Sequence, residues 1–103
     1  MKTSVIRIVK MTFNPERIDE FLKLFDEKSG RIRSFKGCQS LDLIRDTSSE
    51  NVMTTISVWA SEEALAVYRR SDVFNETWTV ARSMFADRPE ASSYVRIRSV
   101  KPS

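Results

Sequence analysis

The chain of 103 residues contains no histidine, a single cysteine and only two glycines. Histidine is the side chain whose pKa lies nearest neutral pH, so its absence removes the commonest general base and the commonest metal ligand. Cys38 has no partner for an internal disulfide, which favours a reducing compartment. Gly30 and Gly37 form no glycine-rich phosphate-binding loop. We therefore expect no metal site and no bound cofactor.

Long apolar runs and concentrated charge are also missing. No run approaches the roughly 18 apolar residues of a membrane span, and Met1–Arg7 lacks the apolar core of a signal peptide. The 17 basic and 14 acidic residues give a net charge of +3. The basic residues are scattered, whereas nucleic-acid binding needs them on one face. We expect a cytoplasmic protein of bacterial origin that binds neither nucleic acid nor membrane.

The length predicts one domain over residues 1–103, with a core over 4–99 and a short tail over 100–103. The order of predicted elements is β-α-β-β-α-β, and the second helix is broken at Ser71-Asp72. Asn14-Pro15-Glu16 begins the first helix, and Gly30 is predicted to end it. Ser61 caps the second helix. The strands are predicted at 4–13, 38–46, 52–60 and 93–99, with a polar turn over 47–51 and a buried helical stripe that runs as far as Phe85.

This order is typical of the ferredoxin-like α+β fold, in which both helices cover one face of an antiparallel sheet. The first strand nevertheless has apolar residues on both faces: Val9 and Met11 lie on one, and Ile6 and Ile8 on the other. The face without helices needs a partner, and a second copy of the same sheet is the simplest one. We expect a homodimer formed through the sheet faces.

Aromatic residues concentrate between Val58 and Trp78. Trp59 ends the third strand, and Tyr68, Phe74 and Trp78 follow on the helices. Such an arrangement predicts an apolar pocket between the sheet and the helices. The same residues also fit an ordinary packed core, and both interpretations stay open.

The whole pattern resembles the antibiotic biosynthesis monooxygenase family of the dimeric α+β barrel superfamily. The resemblance is carried by the N-terminal strand with Asn14-Pro15-Glu16, by residues 37–46, by the run W-x-S-x-x-x-L from Trp59 to Leu65, by S-x-x-F from Ser71 to Phe74, by Thr77-Trp78 and by residues 85–91. The family includes cofactor-independent oxygenases of aromatic polyketides, quinol monooxygenases and haem-degrading monooxygenases. Its cavity usually lies between sheet and helices, with the tryptophan of the third strand in or near it.

The resemblance implies a dimeric α+β barrel and a set of site residues. It makes Trp59 and Tyr68 the candidate catalytic residues. The implied substrate pocket consists of Phe21, Phe25, Thr55, Leu65, Phe74 and Trp78. Three departures are visible. Trp78 stands where the haem-degrading branch has its iron-binding histidine, and Val9 or a neighbour stands where that branch has an asparagine on the first strand. Thr55 and Leu65 stand where the polyketide branch has polar residues.

The implied function is oxidation of a small aromatic or quinol-like compound with O₂, without a cofactor. Trp59 would offer its indole N–H, Tyr68 would donate or relay a proton, and an arginine near the pocket mouth would lower the pKa of a phenol. No general base is evident. The alternative is a non-catalytic dimeric module that binds a small ligand or serves in a stress response, which the missing histidine favours.

Overall fold

The computed structural model of the chain describes residues 3–103, so Met1 and Lys2 of the expected domain lie outside the described residues. Four antiparallel strands form one sheet in the order β2-β3-β1-β4. This is the ferredoxin-like arrangement, and the predicted fold class is confirmed. The elements are β1 (Val5–Thr12), a 3₁₀ turn (Pro15–Arg17), α1 (Ile18–Arg33), β2 (Cys38–Arg45), β3 (Val52–Trp59), α2 (Glu62–Arg69), α3 (Asp72–Arg82) and β4 (Glu90–Tyr94).

The central strand β1 has two different faces. Val5 and Met11 are buried beneath the helices, whereas Ile6 and Ile8 lie on the opposite face and are partly exposed. In the register, Ile8 is opposite Ile56 of β3. This alternation follows from the two-residue period of a strand.

Helix α1 does not end at Gly30, and this prediction is wrong. The helix continues to Arg33, and the N–H of Ser34 donates to the Gly30 carbonyl. The added turn buries the side chain of Ile32. That burial outweighs the helix cost of a glycine, which is about 1 kcal/mol.

Gly37 is the residue of this region whose backbone has a positive φ, of 92°. A Cβ placed on Gly37 would come within 2.5 Å of the Ala64 Cβ. The Gly37 carbonyl also accepts the N–H of Ala60 at 2.8 Å. Glycine at this position therefore lets the start of β2 pack closely against α2.

Two serines begin the later helices, as predicted. The Ser61 hydroxyl accepts the N–H of Ala64 at 3.1 Å, and the Ser71 hydroxyl accepts the N–H of Phe74 at 3.2 Å. Each hydroxyl satisfies one N–H that the first helical turn leaves unpaired. The break at Ser71-Asp72 is confirmed.

Helix α3 ends at Arg82, before the predicted end of its buried stripe. Phe85 lies beyond the helix in an isolated bridge with Phe13, and the Ala86 N–H donates to the Thr12 carbonyl. Met84 is still buried in the same core. The sequence pattern correctly predicted that Met84 and Phe85 pack in the core, but it placed them in the helix, whereas they lie beyond its end.

The last strand is also misplaced in the prediction. It spans Glu90–Tyr94 rather than 93–99, because its register with β1 places Tyr94 opposite Ile6. In this register, residues from Arg96 onward would need partners before Val5, where β1 begins. Ile97 and Val100 are therefore left 77% and 89% exposed.

The interior consists of two apolar clusters. The larger one packs β1 and β3 against α1 and the end of α3 and includes Met11, Phe13 and Phe21. The smaller one includes Trp59 of β3 and Leu65 of α2 and lies where α2 meets the sheet. No helix within residues 3–103 is long and apolar enough to cross a membrane.

Candidate functional site

A cavity of about 200 Å³ lies between the sheet and the helices, and residues of both apolar clusters line it. Ligand pockets for drug-sized molecules typically measure about 300–1,000 Å³. This cavity therefore suits a smaller molecule. Its floor includes Arg7, Val9 and Met11 of β1, which span about 13 Å along the strand.

All eight sequence-predicted site residues line this cavity. They are Trp59, Tyr68, Phe21, Phe25, Thr55, Leu65, Phe74 and Trp78. The fold brings them from α1, β3, α2 and α3 to one place, and their roles remain predictions.

Aromatic rings form a continuous wall on the helix side. The Trp59 and Tyr68 rings stack with centroids 4.6 Å apart, and Phe74 meets Tyr68 edge-on at 5.2 Å. The Phe74 and Trp78 rings stack at 6.0 Å. Offset and edge-on contacts of this kind hold aromatic side chains in fixed positions. The wall can therefore position a flat ligand without rearranging.

The indole of Trp59 is fully buried, and its N–H already has an acceptor. The Nε1 atom donates to the Ser57 hydroxyl at 2.9 Å. Trp59 is thus less available as a donor to a ligand than the sequence suggested. The Ser57 hydroxyl, which also lines the cavity, keeps its own proton to donate.

Tyr68 has the only strongly shifted acidic group that lines the cavity, among the residues that the structure describes. Burial raises the pKa of Tyr68 to about 12, and the nearby Cys38 thiol adds to the increase. At neutral pH the phenol is protonated. The phenol makes no hydrogen bond with another described residue, so its proton is available for donation to a ligand.

Two arginines complete the polar lining. Arg7 projects from the middle of β1, where Ser57 and Ser93 are its partners on the two neighbouring strands. One of its guanidinium nitrogens donates to the Ser93 hydroxyl at 3.0 Å. Burial lowers the pKa of Arg7, and the positive charge of Arg69 lowers it further.

The opening of the cavity lies beside Arg69. Of the lining residues, only Arg69 at the end of α2 and Ala91 of β4 are exposed. Arg69 therefore brings positive charge to the mouth, Arg7 adds a second, partly buried charge to the lining, and most of the other lining residues are apolar.

The sequence analysis predicted an arginine near the pocket mouth but did not identify Arg7 or Arg69 as that residue. A usable signal was present for Arg7, because residues 5, 7, 9 and 11 alternate onto one face of β1 and the others on that face are apolar. For Arg69 the sequence contains no comparable signal, because its position depends on how α2 packs.

The lining can donate protons in hydrogen bonds but has no base that works near neutral pH. Ser57, Tyr68, Arg7 and Arg69 are donors, and no carboxylate lies among the described lining residues. Thr77 uses its hydroxyl locally, to the Val73 carbonyl at 2.7 Å. Such a site can stabilise negative charge on a ligand but cannot remove a proton from it.

Metal binding has no support in the described part of the chain. In that part, no three histidine, cysteine, aspartate or glutamate side chains lie close enough together to hold a metal ion. Burial raises the pKa of the Cys38 thiol, whose sulfur lies 3.6 Å from the Ser40 carbonyl. A protonated, buried thiol is a poor ligand and a poor nucleophile.

Comparison with known proteins identifies relatives of the chain. The model of the family described as "Antibiotic biosynthesis monooxygenase" matches residues 4–78. A protein of Natronomonas pharaonis that bears the name "Putative heme-binding protein" is 35% identical over 78 residues. That match covers 76% of this chain but 13% of the relative, so the chain spans a small part of the curated relatives it matches.

Solved structures share the fold at low identity. A conserved protein from Methanosarcina mazei Go1 has a TM-score of 0.86 and 21% identity, with 89% of this chain and 91% of that chain covered. A mutant of SnoaB, described as a cofactor-independent oxygenase from Streptomyces nogalater, has a TM-score of 0.86 and 17% identity, with 97% and 99% covered. At these identities the likeness concerns the fold alone.

Proposed function

The chain belongs to the antibiotic biosynthesis monooxygenase family, and on that premise we propose that it oxidises a small aromatic, quinol-like compound with O₂ without metal or organic cofactor. The reaction takes place in the cavity between the sheet and the helices. The observation that carries the proposal is the lining itself: an aromatic wall next to hydrogen-bond donors and positive charge, with no base among the described lining residues.

The donors suit a substrate that supplies its own electrons. A phenol bound beside Arg7 and Arg69 loses its proton to solvent more readily, because nearby positive charge stabilises the phenolate. The electron-rich phenolate then passes an electron to O₂. The protonated Tyr68 and the Ser57 hydroxyl are placed to donate to the negative oxygen that develops.

The chemistry balances without a further reductant. When a ring CH₂ of an anthrone-like substrate becomes a carbonyl, its carbon loses four electrons and O₂ accepts all four. One oxygen atom enters the product and the other leaves as water with the two hydrogens. The protein contributes orientation, a dry cavity and fixed donors.

Trp59 has a positioning role in this proposal. Its ring stacks on Tyr68, and its N–H holds the Ser57 hydroxyl in place. Phe74 and Trp78 extend the wall on which the substrate ring lies. Phe21, Phe25, Thr55 and Leu65 close the remaining sides.

A homodimer completes the proposed assembly. The face of the sheet without helices carries Ile6, Ile8, Ile56 and Val58, which are half-buried in the single subunit. At its margins Ile44 and Tyr94 are 48% and 51% exposed. Pairing two such faces would remove this apolar surface from water.

Haem does not fit the residues of this site. The chain has no histidine, and the tyrosine and the cysteine nearest the cavity are poorly placed to bind haem iron instead. The Tyr68 ring is stacked on Trp59, and the Cys38 thiol is buried. A cavity of about 200 Å³ also suits a small aromatic ring system better than the four pyrroles of a porphyrin. We therefore propose no haem chemistry for this chain.

Oxygen uptake by the purified protein tests the proposal. The panel consists of hydroquinones and anthrones, measured in the presence of a metal chelator. We expect uptake by the wild type and a loss of at least about tenfold in Tyr68→Phe, which removes one donor to the developing charge. Tyr94→Phe, which changes the exposed tyrosine outside the cavity, is the matched control. Absence of uptake across the panel would contradict catalysis.

The alternative is a binding module without turnover. The lack of a base in the cavity is the observation that favours it. In that case the same compounds would raise the melting temperature in a saturable way, while oxygen uptake would stay at the level of the buffer.

A further inference from the structure

Within the part of the chain that the structure describes, the two arginines at the mouth of the cavity have no acidic partner. The ion pairs of the described residues involve Lys10, Arg17, Lys28 and Arg31, and neither Arg7 nor Arg69 pairs with a carboxylate of residues 3–103. A half-buried guanidinium without an opposite charge is uncommon, because burial of charge is costly unless it is paired.

Arg7 is held in place but has donors to spare. It lies on a central strand, and the register of the sheet places it between Ser57 and Ser93. A guanidinium has five N–H donors, and the hydrogen bond to the Ser93 hydroxyl uses one of them. The remaining donors are available to a ligand at the mouth.

Arg69 brings a second positive charge to the same opening. It lies in the last turn of α2 and is exposed, whereas Arg7 is partly covered. The two charges are near enough to repel each other, as the effect of Arg69 on the pKa of Arg7 shows. An anion bound between them would relieve that repulsion.

We propose that the ligand of this cavity is an aromatic carboxylate, whose carboxylate group binds Arg7 and Arg69 at the mouth while its ring lies against Tyr68 and Phe74. This inference rests on the proposed function, which places a small aromatic compound in the cavity. Guanidinium and carboxylate match each other in geometry and form short, charge-assisted hydrogen bonds. The small, apolar interior accepts the ring and excludes the charged end.

A matched pair of compounds tests the proposal by binding alone. 2,5-Dihydroxybenzoate and 2,5-dihydroxybenzamide share the hydroquinone ring, and only the first carries a negative charge. Isothermal titration calorimetry under nitrogen measures the affinity of each without oxidation. We expect the wild type to bind the carboxylate at least about tenfold more tightly than the amide, as a charge-assisted pair implies.

The arginine variants locate the effect. Arg69→Gln and Arg7→Gln should each reduce the ratio of carboxylate affinity to amide affinity several-fold. Arg70→Gln removes a neighbouring exposed arginine that does not line the cavity, and it should keep the full preference. If Arg7→Gln fails to fold by circular dichroism, Arg69→Gln, at an exposed position, still decides the question.

Two results would overturn the inference. One is an affinity for the amide equal to or greater than that for the carboxylate. The other is a preference for the carboxylate that persists in both Arg69→Gln and Arg7→Gln, or that Arg70→Gln reduces as much as these two variants do. Oxygen uptake distinguishes a failure of this inference from a failure of the proposed function. Turnover of neutral hydroquinone without a preference for the carboxylate would refute only the recognition of a carboxylate. Carboxylate binding without turnover refutes only the catalysis.

Discussion

The indole N–H of Trp59 donates to the hydroxyl of Ser57, two residues earlier on the same strand, at 2.9 Å. Both side chains are buried and lie on the helix-facing side of β3. Residues two apart on a strand share a face, so this bond is local and needs no other element. It ties the largest aromatic residue of the site to a hydroxyl that lines the cavity.

Ser57→Ala should reduce the free energy of unfolding by about 1–3 kcal/mol, because it leaves the buried indole N–H without an acceptor. Urea unfolding measures the change. Ser48→Ala, at an exposed hydroxyl in the turn between β2 and β3, should change it by less than about 0.5 kcal/mol. In a Trp59→Phe background the cost of Ser57→Ala should shrink, since the N–H is no longer there. An undiminished cost in that background would show that the bond contributes nothing.

The two glycines should respond in opposite directions to alanine. Gly37→Ala should lower the free energy of unfolding by at least about 1 kcal/mol, because the positive φ is strained for alanine and the new Cβ meets Ala64. Gly30→Ala should raise it by about 0.5–1 kcal/mol, because Gly30 is helical and nothing lies near its Cβ. Thermal and urea unfolding of both variants give the sign. A Gly37→Ala protein as stable as the wild type would refute the close contact with α2.

Alkaline pH should destabilise the fold through Tyr68. Its pKa is about 12 in the folded protein and 10.0 without burial, so the folded state keeps a proton that the unfolded state loses. The contribution of Tyr68 to stability is therefore complete below pH 10 and disappears as pH rises towards 12. The difference in unfolding free energy between wild type and Tyr68→Phe should decrease by about 2–3 kcal/mol over this interval. A difference that stays constant would mean that Tyr68 ionises like a solvated phenol.

A charge on the uncovered face of the sheet should separate the proposed dimer. Ile56→Glu places a carboxylate beside Ile8 in the middle of that face, where an interface would have to bury it. Sedimentation at micromolar concentration should show a dimer for the wild type and a monomer for this variant. Val67→Glu, at an exposed position on α2, should remain dimeric. A wild type that sediments as a single chain of 11.9 kDa would contradict the dimer.

Much of the fold could be predicted from the sequence because its signals are local. Ser61 and Ser71 cap helices through hydroxyls that act on the next three residues. The alternation of β1 predicted which residues face the helices. The errors arose where tertiary contacts decide: burial of Ile32 carries α1 past Gly30, and the start of β1 at Val5 limits β4 to the stretch that ends at Tyr94.

The candidate site was only partly predictable for the same reason. Trp59 and Tyr68 could be named from their positions in the aromatic run, and the structure brings their rings together. The position of Arg69 depends on how α2 packs, so it could not be predicted, whereas the acceptor of the indole N–H and the inward direction of Arg7 follow from the two-residue period of their strands. Arg7 in particular had to be read as part of an inward-facing row rather than as an isolated charge.

The most direct test of the central claim is the incorporation of labelled oxygen from ¹⁸O₂ into an anthrone or hydroquinone substrate, followed by mass spectrometry. Ala91→Trp should block the opening from an exposed position, and Ala86→Trp, also exposed but away from the cavity, is its control. The proposed function predicts one ¹⁸O atom per product from the wild type and Ala86→Trp, and almost none from Ala91→Trp. Unlabelled product from every variant, or equal labelling of the product by Ala91→Trp, would contradict oxidation in this cavity.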